Sequence, residues 1–180
     1  MKTRFMTIML CMIALSTCAL IGCTKTEQNT NSGNSGNNSD NDENPSEYVD
    51  LGLPKGTKWK DKNENIEGNT LFSHNQAMQH YGSKMPTKEQ IEELKNSCLW
   101  TWTGNGYNVL GPNGNAIFLP AEGHRDCTDG NVYGVNNFGN YWTSTPENSE
   151  SAWRLLFDIT GIDVHADNLC CGYSVRLVKD

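Results

Sequence analysis

The sequence predicts an α+β domain, because two helices with clear start signals precede a long series of short strand-like segments. Ser73-x-x-Gln76 and Thr87-x-x-Gln90 both match the capping box, in which a hydroxyl and an amide satisfy free backbone N–H groups. From Leu99 onward, short apolar runs alternate with Gly, Asn and Asp, which is typical of antiparallel strands and turns. We therefore expect two early helices packed on mainly antiparallel sheets.

The first 22 residues are predicted to be a signal peptide and not part of the fold. Lys2 and Arg4 precede the uncharged apolar run from Met6 to Leu20, which is shorter than the span of about 20 residues that a membrane helix needs. The run leads into Leu20-Ile21-Gly22-Cys23, which resembles a bacterial lipobox. That resemblance implies cleavage before Cys23 and acylation of its sulfur; an ordinary signal peptide with a chance cysteine is the alternative. Acyl chains would hold the protein on a lipid bilayer, because each buried methylene contributes about 0.8 kcal/mol.

Residues 23–46 are predicted to form a lipidated, disordered tether. Between Gln28 and Pro45 there is no aliphatic or aromatic residue, so this segment cannot bury enough surface to offset the entropy of ordering. A chain of about twenty residues of this kind reaches roughly 25 Å. We expect an outer-membrane lipoprotein of the cell envelope, on either the periplasmic or the surface leaflet.

Residues 47–180 are long enough for one domain with one core. The whole chain has 14 basic and 21 acidic residues. Loss of Lys2 and Arg4 with the signal leaves 12 basic and 21 acidic residues, a net charge of −9. This acidic balance disfavours nucleic acid as a partner.

The elements of the domain follow from capping, alternation and turn residues. After a first strand at 48–51, the helices are expected from Ser73 to Tyr81 and from Thr87 to Asn96. Asn113-Gly114 supplies hairpin turn chemistry. Strands are expected at 99–103, 107–110, 116–119, 141–144, 153–159, 162–166 and 173–177. Core positions are expected at Ile91, Leu94 and Cys98 on the second helix, and at Trp142, Trp153, Leu155, Phe157 and Ile159 on the strands.

A Gly-, Asn- and Asp-rich segment between Pro120 and Tyr141, here called the central loop, is the expected ligand surface. Long irregular segments inside compact domains are usually functional or disordered, and the aromatic residues Tyr133 and Phe138 favour order. The candidate binding residues are His124, Arg125, Asp126, Asp129, Asn131 and Tyr133.

These residues do not form a recognisable catalytic or metal motif. Asp126-x-x-Asp129-Gly-Asn131 has oxygen ligands that a hard cation could use, but turn-forming acids are the favoured interpretation. One histidine beside one aspartate is not a catalytic constellation, because roles depend on geometry. We expect no catalytic residue, no metal and no cofactor.

Four cysteines of the domain allow three full disulfide pairings: Cys98, Cys127, Cys170 and Cys171. An oxidising compartment permits disulfides, although a bond between the adjacent Cys170 and Cys171 would close a strained ring. Structural or free thiols are favoured over catalytic ones.

Seven short motifs resemble, in order, those of the Fibrobacter succinogenes major paralogous (FISUMP) domain of Bacteroidota lipoproteins. They are Tyr48-Val-Asp-Leu-Gly-Leu-Pro-Lys-Gly-Thr-Lys-Trp59, Met85-Pro-Thr-Lys-Glu-Gln90, Cys98-Leu-Trp-Thr-Trp102, Gly111-Pro-Asn-Gly-Asn115, Ile117-Phe-Leu-Pro-Ala121, Tyr141-Trp-Thr-Ser-Thr145 and Gly172-Tyr-Ser-Val-Arg176. The resemblance implies a C-type-lectin-like fold, with paired terminal strands and a long loop region that presents the binding surface.

The sequence departs from that family at Lys60–Asn65, where a cysteine is usual, so Cys98 is expected to lack its usual partner. The leading hypothesis is a membrane-anchored, non-enzymatic binding or adhesion module for an unknown glycan or protein ligand. The alternative is an oxidase-like enzyme related to the formylglycine-generating enzymes, which the FISUMP fold resembles. The absence of a nucleophile–base or metal motif in the sequence favours the binding module.

Overall fold

The computed structural model describes residues 47–180. The predicted signal peptide (1–22), Cys23 and the tether (23–46) lie outside the described residues. Within 47–180, no helix is both long enough and apolar enough to cross a membrane.

The described chain is mainly β, with two short α-helices early in the sequence. The helices are α1 (His74–Tyr81) and α2 (Lys88–Ser97), with a 3-10 turn at Gly82–Lys84 between them. The strands are β1 (Tyr48–Asp50), β2 (Lys58–Lys60), β3 (Leu99–Trp102), β4 (Gly106–Leu110), β5 (Ala116–Pro120), β6 (His124–Arg125), β7 (Val132–Tyr133), β8 (Gly139–Pro146), β9 (Ser151–Asp158), β10 (Gly161–Asn168) and β11 (Val178–Lys179). They form four small sheets, with strand orders β1-β2-β11, β10-β9-β8, β3-β4-β5 and β6-β7.

The predicted α+β, C-type-lectin-like fold is therefore wrong. The two capping boxes are strong local signals, but they start helices of only eight and ten residues. The strands, all paired antiparallel, dominate the architecture instead. The terminal strands β1 and β11 share a sheet, but each pairs with β2 and not with the other.

Both helix starts are confirmed at the level of single hydrogen bonds. The Ser73 hydroxyl accepts from the Gln76 backbone while the Gln76 side chain accepts from the Ser73 backbone. Thr87 and Gln90 make the same reciprocal pair, with the Gln90 amide oxygen 2.9 Å from the Thr87 nitrogen. Ile91 and Leu94 on α2 are buried as predicted.

In the sheet β10-β9-β8, two of the residues predicted to be in the core are not buried. Leu155 and Phe157 are buried, as expected from alternation on β9. Trp153 is only half-buried, and the Lys88 ammonium lies 3.3 Å from its ring centroid. Ile159 is 69% exposed, because β9 ends at Asp158 and Ile159 lies in the turn to β10. The pattern predicted the strand, but the predicted strand begins two residues late and ends one residue too far along the chain.

Buried apolar residues form two clusters. One surrounds Trp59, Tyr141 and Phe157, and the other surrounds Phe72 and Trp142. Trp142 is fully buried, which confirms its prediction as a core residue, and its indole N–H donates to the Phe72 carbonyl at 2.9 Å. The last segment is buried on both sides, since Ser174 and Arg176 are buried together with Tyr173, Val175 and Leu177.

Candidate functional site

The central loop contains a small two-stranded sheet formed by β6 and β7. His124 pairs with Tyr133 and Arg125 pairs with Val132. The turn between the two strands is closed by the Asp126 nitrogen, which donates to the Asn131 carbonyl at 2.9 Å. The expectation of an ordered loop is confirmed, and its order comes from backbone pairing that the sequence pattern did not reveal.

Asp126 and Asp129 stabilise this turn through their carboxylates. Asp126 accepts from the backbone and hydroxyl of Thr128, and these hydrogen bonds lower the pKa of Asp126. Asp129 accepts from the Tyr133 hydroxyl at 2.7 Å and from the Asn131 nitrogen at 2.8 Å, which lowers the pKa of Asp129. Both acids act as turn formers, the interpretation that the sequence favoured over a cation site.

Arg125 fixes the loop to the rest of the domain. Its backbone exchanges two hydrogen bonds with Gly172, each 2.9 Å long, in an isolated antiparallel bridge. Its guanidinium donates to the Asn69 side chain at 3.1 Å. A side chain at Gly172 would meet the Arg125 Cβ at 2.6 Å, so the close approach requires glycine. Arg125 is therefore a structural residue as well as a candidate ligand contact.

A disulfide joins the central loop to the turn that follows β10. Cys127 is bonded to Cys170, and Cys98 and Cys171 carry free thiols. Among residues 47–180, Cys98 forms no disulfide. Burial, helped by the charge of Glu93, raises the pKa of the Cys98 thiol to about 11, so this thiol stays protonated at neutral pH.

The sulfur atoms of Cys127, Cys170 and Cys171 are the one group within 47–180 that brings three potential metal ligands within 4.8 Å of one another. Two of these sulfurs are consumed by the disulfide, and a metal requires thiolates. In the oxidised protein this group is therefore a disulfide with a neighbouring thiol.

The second half of the central loop presents apolar side chains to solvent. Val132, Tyr133, Val135 and Phe138 are each between 40 and 51% exposed. These side chains come from one short segment, and exposed apolar side chains mark an interaction site when they form one patch. Of the predicted site residues, Tyr133 belongs to this surface.

An open cleft of about 500 Å³, here called the aromatic cleft, begins at the end of this surface. Phe138 and Ile159 form exposed apolar walls, and the half-buried Trp102 of β3 completes the cleft from another sheet. Polar groups come from Asn136, Asn137 and Asp158, and Gly104 lines the remaining side. None of these residues was among the predicted site residues, because the cleft assembles segments that are distant in sequence.

The second half of the chain matches a known protein family. Residues 83–178 match the family described as Domain of unknown function (DUF8237). The chain belongs to this family. No curated protein and no solved structure matches the chain. The DUF8237 region includes the central loop, the disulfide and the aromatic cleft, and it leaves β1 and β2 outside.

Within the DUF8237 region, a network of polar side chains is hydrogen-bonded to the central loop. Arg154 is buried and donates to Asn140 at 2.7 Å and to Asp167 at 3.0 Å. The Asn140 amide donates to the Gly123 carbonyl of the loop at 3.0 Å. Tyr173 donates to Asp167 at 2.7 Å, and its ring lies 4.9 Å from the Arg154 guanidinium. Sequence reasoning missed this network, although an arginine inside the apolar strand β9 was its available signal.

The predicted site residues of the DUF8237 region have different roles in the structure. Arg125, Asp126 and Asp129 hold the shape of the loop through the hydrogen bonds described above. The His124 ring lies 6.0 Å from the Tyr133 ring and 6.5 Å from the Tyr173 ring, where it packs as a half-buried aromatic group. Asn131 is exposed, and its carbonyl accepts from the Asp126 nitrogen where the turn closes.

Proposed function

We propose that this protein is a non-enzymatic binding module of the cell envelope and that its aromatic cleft takes a neutral saccharide. The observation that carries the proposal is the cleft itself, in which aromatic rings, side-chain amides and one carboxylate converge. A sugar ring needs this combination, because it has an apolar C–H face and several hydroxyl groups. Sites of this kind are largely preformed and use a few polar groups to fix the ligand.

The aromatic platform is rigid. The Trp102 ring packs edge-on against Tyr107 at 5.2 Å and against Phe157 at 6.5 Å. Tyr107 is fixed in turn, because its hydroxyl donates to the Asp158 carbonyl at 3.0 Å. A ring held in this way loses little conformational entropy when a ligand stacks on it.

The polar groups of the cleft favour a neutral ligand that carries hydroxyls. Asn136 adopts a positive φ of 64°, and its side-chain amide makes no hydrogen bond within residues 47–180. Asp158 accepts from the hydroxyl and backbone of Thr160, and these bonds lower the pKa of Asp158 and keep it ionised. No lysine or arginine lines the cleft, so an anionic ligand would meet a carboxylate without a compensating cation.

The location part of the proposal rests on the sequence. The lipobox-like run before Cys23 and the FISUMP-like motifs support a lipoprotein that is held on a bilayer by acylated Cys23. The polar segment at 23–46 would then separate the domain from the lipid surface. A tethered domain of this kind would have its cleft within reach of extracellular or periplasmic polymers.

A glycan array probed with the full-length protein in detergent tests this proposal. We expect retention on a subset of neutral glycans and quenching or enhancement of tryptophan fluorescence on titration with the retained sugar. Phe138→Ala should weaken binding at least about tenfold, which corresponds to about 1.4 kcal/mol. Phe118→Ala is the matched control, since Phe118 is 37% exposed, close to the 40% of Phe138, and does not line the aromatic cleft.

Two results would contradict the proposal. One is an array on which no neutral glycan is retained above background. The other is a Phe138→Ala variant that binds no more weakly than the Phe118→Ala variant does.

A further inference from the structure

The disulfide that fixes the central loop has a third cysteine in contact with it. The Cys171 sulfur lies 3.0 Å from the Cys127 sulfur, which is itself bonded to Cys170. Cys127 therefore has two sulfur neighbours, one bonded and one free. This arrangement is independent of the aromatic cleft and of any ligand bound there.

The backbone holds both neighbouring cysteines in place. The Cys170 nitrogen donates to the Asn168 side chain at 3.2 Å, and the Cys171 nitrogen donates to the Asn168 carbonyl at 3.1 Å. The bridge between Arg125 and Gly172 fixes the segment of Cys127 against this turn. Neither sulfur has to travel far for Cys127 to exchange its partner.

We propose that Cys127, Cys170 and Cys171 form an exchangeable disulfide centre that takes up an external disulfide at Cys170. In the first step the Cys171 thiolate attacks the Cys127 sulfur, the Cys127–Cys170 bond breaks, and Cys170 leaves as a thiolate. Cys171 loses one proton when it forms the attacking thiolate, and the Cys170 thiolate takes up one proton after it leaves. The step isomerises one disulfide into another and needs no oxidant or reductant.

In the second step the exposed thiol of Cys170 reacts with the external disulfide. Cys170 is exposed, whereas Cys127 and Cys171 are half-buried, so isomerisation places the free thiol at the surface. Cys170 also lines an open cleft of about 640 Å³ together with Ser73, Asn75, Glu150, Asn168 and Leu169. Its thiolate can attack a small-molecule disulfide that enters this cleft. One sulfur of that molecule becomes bonded to Cys170, and the other leaves as a thiolate.

Surrounding charges make the first step depend on pH. Burial raises the pKa of the Cys171 thiol. The carboxylates of Asp167 and Asp126 raise it further, and the charge of Arg154 opposes them. The attacking species is the thiolate, so the isomerisation rate should rise about tenfold per pH unit below the pKa of Cys171. The exchange is slow in acid and faster in mild alkali.

Disulfide mapping of the full-length protein in detergent tests the proposal. After incubation at pH 8 and alkylation under native conditions, mass spectrometry should find molecules with alkylated Cys170 and an intact Cys127–Cys171 bond. The two cysteines are adjacent, so the alkylated position must be assigned by fragmentation within one peptide. Incubation with glutathione disulfide should add one glutathionyl group at Cys170, at a rate that increases with pH.

Single-cysteine variants provide the controls. Cys170→Ser should form a Cys127–Cys171 disulfide in full yield, because those two sulfurs are already in contact. Cys171→Ser should lock the original disulfide and reduce Cys170 alkylation and glutathionylation by at least about tenfold, because the attacking thiolate is gone. Cys98, which has a high pKa, serves as the internal reference thiol in every sample.

Two results would overturn the proposal. One is a folded Cys170→Ser protein in which both Cys127 and Cys171 remain free under oxidising conditions. The other is wild-type protein in which alkylation at pH 8 is confined to Cys171 and Cys98. The second result needs no variant, so it remains decisive if Cys170→Ser fails to fold.

Discussion

Replacing the buried Phe157 with alanine should greatly reduce the free energy of unfolding. Phe157 is 1% exposed, and its ring packs against Tyr107 at 5.3 Å and against Tyr141 at 5.8 Å. Trp100 and Trp102 lie at 6.4 and 6.5 Å. These rings are anchored by other contacts, so they cannot close the cavity. We therefore expect a loss at the upper end of the usual range for Phe→Ala in a core, about 4–5 kcal/mol.

Phe138→Ala is the matched substitution at the surface. Phe138 is 40% exposed, and the atoms near it include the backbone of Gly134. The same chemical change should therefore reduce the free energy of unfolding by no more than about 1 kcal/mol. The two variants differ in burial and not in the atoms removed, so their difference reports the core contribution directly.

Urea unfolding followed by tryptophan fluorescence measures both values. At a slope of about 2 kcal/mol per molar urea, a loss of 4 kcal/mol lowers the midpoint by roughly 2 M. Phe138→Ala should move the midpoint by less than about 0.5 M at the same slope. Equal midpoints for the two variants, or a larger loss for Phe138→Ala, would refute the assignment of the core to β9 and of the surface to the central loop.

Four further outcomes are expected. Cys23→Ala should move the chain from the detergent phase to the aqueous phase on phase partitioning, since the acyl chains are the proposed anchor; an unlipidated variant that stays in the detergent phase would disprove the anchor. A fragment of residues 47–180 should melt within a few degrees of the full mature chain, because 23–46 has almost no apolar residues to pack, and a clear drop would show that the tether packs. Changing Arg125 and Asp126 together to alanine should cost no more than about 1 kcal/mol in urea, because the bridge to Gly172 is made by the backbone of Arg125 and is kept; a larger loss would show that the side-chain contacts with Asn69 and Thr128 fix the loop. Burial lowers the pKa of His74, so the contribution of His74 to stability should be complete above about pH 6.5 and should decline as the pH falls below that value. In the His74→Gln variant the melting temperature should therefore change less between pH 7 and pH 5 than in the wild type. A variant with the same pH dependence as the wild type would contradict this prediction.

Interactions between neighbours in sequence were predicted correctly. Ser73 with Gln76 and Thr87 with Gln90 start helices because the partners are three residues apart, and the capping geometry needs nothing from the rest of the chain. Alternation on β9 predicted that Leu155 and Phe157 are buried. The turn-forming role of Asp126 and Asp129 was also favoured correctly, because their hydrogen bonds close over two to four residues.

The fold class was not determined by these local signals. Short strands carry little information about which strand they pair with, so the division into four small sheets could not be read from the sequence. The α+β prediction failed because two clear helix signals were given more weight than many weak strand signals. Trp153 was predicted to be a core residue, but it is half-buried and its ring contacts Lys88 of α2, which the strand pattern does not reveal.

The candidate sites depended still more on tertiary structure. Composition located the central loop, but the aromatic cleft also needs Trp102 from β3 and Ile159 from the turn after β9. The sequence left three full disulfide pairings open, and the structure has none of them, because Cys127 is bonded to Cys170 while Cys98 and Cys171 are free. Sequence by itself therefore determined where helices begin, where turns form and which residues are candidates for a lipid anchor. The tertiary structure decided which distant side chains meet, because those contacts arise from long-range strand pairing and packing.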